Sequence, residues 1–204
     1  MTENGQKVAP KFKIEFLKRE APNDPLLQEL KHWCSEFHRL DLAPLYPGGS
    51  YGNLSFRPAA GSDQFIITAS ALALKEDLPD DRFVEVIDVD LKNMVVKANG
   101  KRPPSSESLL HSMIYSRRPD INAIFHGHSK EILSSGKRMD IPATEREEPY
   151  GSLALVEAAL PLALEHDLFI LKDHGFVSLG QNMSAAGKLA VEALRTAETT
   201  TEDL

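Results

Sequence analysis

The sequence predicts an α/β fold, a sheet with antiparallel parts whose faces are covered by helices. Two observations predict it. Short β-branched and apolar runs cluster between residues 44 and 100, where adjacent strands favour antiparallel pairing. Segments with helical spacing of apolar residues stand before, between and after the strands. With 204 residues the chain is long enough for one large domain, read here as an N-terminal arm over 1–23 and a folded domain over 24–204.

The arm mixes Lys, Glu, Asn and Pro with isolated apolar residues, although the alternation Phe12, Ile14, Phe16 also suits a short strand. Asp24-Pro25 reads as an N-cap followed by a first-turn proline. Leu26, Leu27, Leu30, Trp33, Cys34 and Phe37 then predict an amphipathic helix over 25–40. Pro47-Gly48-Gly49 breaks the pattern. Strands are predicted at Leu54–Arg57, Phe65–Thr68, Phe83–Asp88 and Met94–Lys97, with Asn99-Gly100 as a turn. Ser105 or Ser106 caps a helix carrying Leu109, Leu110, Met113 and Ile114, and Arg117-Arg118-Pro119 ends it. A buried strand at Ile121–Phe125, a helix at Tyr150–Leu164, strands at Leu168–Leu171 and Phe176–Leu179 and a helix at Ser184–Thr196 complete the reading.

Composition narrows the classes of function. The net charge of −7 disfavours nucleic acid, whose phosphates call for a basic face. The apolar stretch Leu153–Leu171 is interrupted by Glu157, Pro161, Glu165, His166 and Asp167, so no membrane span is expected. The single cysteine, Cys34, and the absence of a secretory pattern suggest a cytoplasmic setting. These features point to a small-molecule enzyme.

His126 and His128 end an apolar run, and residues i and i+2 of an extended chain share a face. Taken alone, such a pair is more often two strand-end histidines with no joint role. His174 follows a second apolar run, with Gly175 behind it allowing close backbone approach. Three neutral imidazoles suit a divalent ion such as Zn²⁺ and leave a coordination position open. Glu107 in Pro103-Pro104-Ser105-Ser106-Glu107 reads either as a first-turn glutamate or as a carboxylate beside the metal, serving as ligand, general base or both. The hydroxyls and amides of that segment offer an anion site at a helix start. Gly48–Ser55 reads either as a plain tight turn or as a loop whose amides and Asn53 hold an anionic or hydroxylated substrate. His111 lies one helical turn after Glu107 and is left unassigned, as is Lys172.

Together these residues resemble the class II (metal-dependent) sugar-phosphate aldolase and adducin-head family. The resemblance rests on Gly52-Asn53-Leu54-Ser55, Ile66-Ile67-Thr68, Pro104-Ser105-Ser106-Glu107 with His111 and Tyr115, and Arg118-Pro119-Asp120. It continues through His126-Gly127-His128-Ser129, Tyr150-Gly151-Ser152 and Asp173-His174-Gly175. It implies a central, largely antiparallel sheet between helical layers and a homotetramer with active sites at subunit interfaces. It implies His126, His128 and His174 as metal ligands, for Zn²⁺ first and Mn²⁺, Co²⁺ or Fe²⁺ as alternatives. It implies Glu107 as acid/base, and Gly52, Asn53, Thr68, Ser70, Ser105 and Ser106 as holders of a substrate phosphate.

The implied activity is cleavage or formation of a C–C bond in a small hydroxy-carbonyl substrate through a metal-stabilised enediolate. A Glu107 pKa raised by desolvation would suit that role. Alternatives are a methylthioribulose-phosphate-type dehydratase, a sugar-phosphate 4-epimerase, and a non-catalytic module like the adducin head. The chain departs from the family pattern at Ala71, where glycine is usual and alanine resists positive φ. It also lacks a tyrosine between His128 and Tyr150, leaving the proton donor unassigned, and it ends in a polar tail, Thr199–Leu204.

Overall fold

The computed structural model describes residues 10–72 and 75–202. An eight-stranded sheet is formed by β1 (Lys13–Lys18), β4 (Asn53–Phe56), β5 (Phe65–Thr68), β6 (Phe83–Asp90), β7 (Val95–Asn99), β8 (Ala123–Gly127), β9 (Leu168–Leu171) and β10 (Gly175–Gly180). Its order is β1-β7-β6-β5-β4-β8-β10-β9, and a separate ribbon pairs β2 (Leu45–Tyr46) with β3 (Gly49–Ser50). Only β1 with β7 is parallel among the strand pairs of this sheet. Among the described residues, five α-helices accompany it: α1 (Leu27–Arg39), α2 (Ser108–Arg117), α3 (Lys130–Ser135), α4 (Leu153–Glu165) and α5 (Met183–Glu202).

Period-2 alternation divides the core in two. Ile66, Ala123, Phe125 and Phe176 join one apolar cluster with residues of α1, α3 and α5. Their strand neighbours Phe65, Ile67, Ile124, Val177 and Leu179 join a second with residues of α2 and α4. In the first cluster Phe37 meets Phe125 edge-on with ring centroids 5.5 Å apart, and Trp33 lies 5.9 Å from Phe125. These aromatic contacts fix α1 against β8, the strand that carries His126.

Local chemistry explains where the elements begin and end. Asp24 does not cap α1 directly. Its Oδ1 accepts from Leu26 N–H at 2.8 Å, forming the turn that leads into a helix starting at Leu27. The α4 helix starts at Leu153 rather than Tyr150, because Ser152 is the N-cap and its Oγ accepts from Leu155 N–H at 3.1 Å. The α5 helix runs on through the expected polar tail to Glu202. Thr199 and Thr200 hydroxyls donate back to the carbonyls of Arg195 and Thr196, so β-branched polar residues are accommodated there. Within the expected arm, Lys13–Lys18 is an edge strand on β7, the second of its two readings. Short α3, capped by Ser129, has too few residues to show periodicity in the sequence. Arg118 clamps Asp120 at 2.7 Å and Asp167 at 2.9 Å, joining the end of α2 to the approaches of β8 and β9. No helix of the described residues is long and apolar enough to cross a membrane.

Gly187 lets α5 close on α1, since a Cβ there would lie 2.3 Å from the Trp33 ring. Gly187→Val is therefore expected to lower stability by about 1–3 kcal/mol through overpacking. Urea denaturation checks this, and an unchanged midpoint would contradict the α1–α5 contact.

Candidate metal centre

The site lies at the end of the sheet where β8 finishes and β4 and β10 begin. Antiparallel pairing places Asn53 opposite His126 on one side and Val177 opposite His126 on the other. His128 follows β8, and its N–H donates to Leu42 O at 2.8 Å. His174 sits in the tight turn between β9 and β10, where its N–H donates to Leu171 O at 3.0 Å and Asp173 has φ of 56°. Two glycines permit the crowding. A Cβ on Gly52 would lie 2.5 Å from His126 O, and one on Gly175 would lie 2.5 Å from Gly127 O. Gly52 also has φ of 73°.

One ligand atom from each of His126, His128 and His174 lies within 4.8 Å of the others. The Nε2 atoms of His126 and His128 are 3.0 Å apart. Glu107 completes the cluster, with Oε2 3.3 Å from His126 Nε2 and Oε1 3.2 Å from His174 Nε2. His126 Nδ1 is 2.8 Å from Phe176 O, which accepts its proton, so Nε2 presents a lone pair to the cluster. Lone pairs and a carboxylate converge here, an arrangement that a cation would neutralise. Nitrogens held tetrahedrally about 2.0–2.1 Å from Zn²⁺ lie about 3.3 Å apart, close to the 3.0 Å between Nε2 of His126 and Nε2 of His128. The donor set thus fits a divalent ion.

Burial shapes the charges. It pushes His126 down to about 4 and His128 well below its ordinary value, keeping both rings neutral at pH 7, as metal ligation requires. For Glu107, burial is the largest influence and raises the pKa, but His126, His174, Asn53 and His111 together outweigh it. The carboxyl is held below its usual range, the opposite of the raised value that would suit an acid/base. Glu107 is an ionised acceptor in a site of neighbouring histidines, with Asn53 Nδ2 donating to it at 2.9 Å.

The six residues read as substrate holders fall on three adjoining strips. Gly52 precedes β4 and Asn53 opens it, Thr68 ends β5 with Ser70 two residues beyond, and Ser105 and Ser106 precede α2. The last two strips are stitched together by Ser70 N–H donating to Pro103 O at 3.0 Å and Ser105 N–H donating to Thr68 O at 3.2 Å. Ser106 Oγ is buried without a hydrogen-bond partner, available to a ligand. Asn53 instead spends its amide on Glu107, a positioning contact not read from the sequence. Ala71 adopts the left-handed conformation, with φ of 56°, despite its methyl group.

Two further residues escaped the sequence reading. Lys75 is 1% exposed and donates to Ser50 Oγ at 3.0 Å and to Tyr51 O, bracing the glycine-rich loop from behind. Burial lowers it to about 8. The Tyr51 ring stacks on His128 with centroids 4.6 Å apart and forms a half-exposed wall beside the cluster. Neither has a spacing signal, because their partners lie far away in the chain. Lys172, left without a role, points to Glu145 O at the surface.

Residues 28–201 match the family described as Class II Aldolase and Adducin N-terminal domain. An L-fuculose phosphate aldolase of Methanocaldococcus jannaschii is 36% identical over 153 residues, 68% of this chain and 77% of that protein. A 5-deoxy-D-ribulose 1-phosphate aldolase of Bacillus thuringiensis is 32% identical over 161 residues, 71% of each chain. A methylthioribulose-1-phosphate dehydratase of Leptospira biflexa is 41% identical over 109 residues, 52% of this chain and 50% of that one. Among solved structures, an L-fuculose 1-phosphate aldolase superposes with a TM-score of 0.71 at 22% identity, covering 88% of this chain and 86% of that one.

Because His126 is lowered to about 4, protons in the acid range bind the unfolded chain more readily than the native one. Stability of the metal-free protein is expected to be full above about pH 6.5 and to fall as pH drops toward 4. Urea midpoints across that range check it, and a flat profile would contradict it. Replacing Ala71 by glycine removes a left-handed alanine, so Ala71→Gly is expected to raise stability by about 1 kcal/mol in the same assay.

Proposed function

We propose that this chain, which belongs to the class II aldolase and adducin N-terminal domain family, is a metal-dependent lyase that cleaves or forms a C–C bond in a small hydroxy-carbonyl substrate. The observation that carries this reading is the convergence of three imidazole nitrogens, two of which stand 3.2 and 3.3 Å from the buried Glu107 carboxylate. His126, His128 and His174 would hold a divalent transition metal, Zn²⁺ being the first choice for such ligands. When bound, the metal supplies Lewis acidity, polarising the substrate carbonyl and stabilising the enediolate left by bond cleavage.

The rest of the work falls to the chain itself. Glu107, held by Asn53, accepts or returns the proton at the enediolate carbon. Held ionised, the carboxylate is in the form that accepts a proton. Gly52, Thr68, Ser70, Ser105 and Ser106 would bind the anionic or hydroxylated end of the substrate, with the unpartnered Ser106 Oγ as its first hydroxyl donor. Asn53 Oδ1, also buried without a partner, leaves that side chain room for a substrate contact beside its bond to Glu107. Relatives named as sugar-phosphate aldolases support a phosphorylated ketose as substrate. The relative named as a dehydratase favours loss of water from a methylthio-sugar phosphate as the second reading. We place the enzyme in the cytoplasm and assign it a homotetrameric assembly.

Metal analysis and turnover together test the proposal. Purified protein should carry about one transition-metal ion per chain. His126→Ala should lose it. Glu107→Gln should retain it and lose turnover by about 10²–10⁴-fold. Aldehyde release from ketose 1-phosphates marks the aldolase reading, whereas loss of water without aldehyde marks the dehydratase. Absence of metal even after reconstitution would sink both.

A further inference from the structure

Asn53 and Ser55 are two residues apart on β4, so their side chains leave the same face of the strand. Glu107 and His111 are four apart at the start of α2 and share a helix face, with His111 N–H donating to Glu107 O at 3.1 Å. The spacings match, at about 6.6 Å along a strand and about 6 Å along a helix. Two rungs result. Asn53 Nδ2 donates to Glu107 Oε2 at 2.9 Å, and Ser55 Oγ is hydrogen-bonded to His111 Nδ1 at 2.7 Å. The second rung continues to Tyr115, one turn further along α2, whose hydroxyl is 2.8 Å from Ser55 Oγ.

All of this is buried. Ser55 and His111 are 0% exposed and Tyr115 1%. A position so enclosed, stacked on Phe65, would accept a leucine if packing were its only task. An imidazole there gives a directed bond that sets the rotation of α2 about its own axis, and Glu107 is the residue at the N-terminus of that helix. We propose that His111, with Ser55 and Tyr115, is a positioning unit that locks the first turn of α2 to β4 and so holds the Glu107 carboxylate against the histidine cluster. The inference rests on the acid/base reading of Glu107 given above. In this reading His111 acts through Glu107.

The test uses His111→Leu, Ser55→Ala and His111→Gln. In metal-free, ¹⁵N-asparagine-labelled protein, the Asn53 side-chain amide reports directly on its bond to Glu107, whether or not any substrate is turned over. His111→Leu and Ser55→Ala are expected to speed exchange of that amide at least tenfold. In the metal-loaded enzyme they should lower kcat at least tenfold, with KM and metal content within twofold of the parent. His111→Gln, which can still bond Ser55, should recover most of both effects. Unchanged amide exchange in a folded His111→Leu or Ser55→Ala protein would overturn the proposal, as would faster exchange with unchanged kcat. If His111→Leu does not fold, Ser55→Ala decides alone. A parent enzyme without metal or turnover would instead refute the functional reading and leave the amide exchange to judge the positioning unit.

Discussion

The site depends on the register of three antiparallel strands. β8 is flanked by β4 and β10, with Asn53 and Val177 both opposite His126. A slip of one residue in either pairing would turn every side chain of that strand to the other face. A slip of β8 would carry His126 away from Glu107 and turn Phe125 out of the cluster it shares with Phe37. The register is therefore enforced by the core, where Phe37 and Phe125 meet edge-on and Trp33 packs beside them. Burial of aromatic surface behind the sheet determines where imidazoles stand at its end.

The same pairing sets the chemistry of the imidazoles. The carbonyl of Phe176 on β10 accepts a hydrogen bond from His126 Nδ1–H, which keeps the proton on Nδ1 and leaves Nε2 with its lone pair free. Burial keeps the rings of His126 and His128 uncharged. Glu107 is held below its usual range against the pull of burial, with the Asn53 amide donating to it. A dication would satisfy all of these groups at once. Behind them Lys75 braces Ser50 and Tyr51, so the loop bearing Tyr51 is held from inside the fold.

Much of this was legible in the sequence. β5 and β9 were read with their observed limits, because apolar β-branched or aromatic runs bounded by polar residues leave little alternative. The three histidines and Glu107 were singled out by their residue types and by their places after strands and before a helix. Less legible were features that arise only when distant segments meet. Lys75 finds Ser50 and Tyr51 across a loop, and Asn53 finds Glu107 54 positions away. The direction of the Glu107 shift was not legible for the same reason, since burial is suggested by a sequence while the number of neighbouring donors is not. Ala71 shows the converse, an unfavourable conformation that the surrounding chain imposes on a residue ill suited to it.

The central claim is that His126, His128 and His174 form one metal-binding set. X-ray absorption at the edge of the bound metal tests it most directly. Protein loaded with Zn²⁺ should show three imidazole nitrogens at about 2.0–2.1 Å, with an oxygen ligand completing the shell. A first shell made of oxygen alone, or one unchanged when His174 is replaced by alanine, would contradict it.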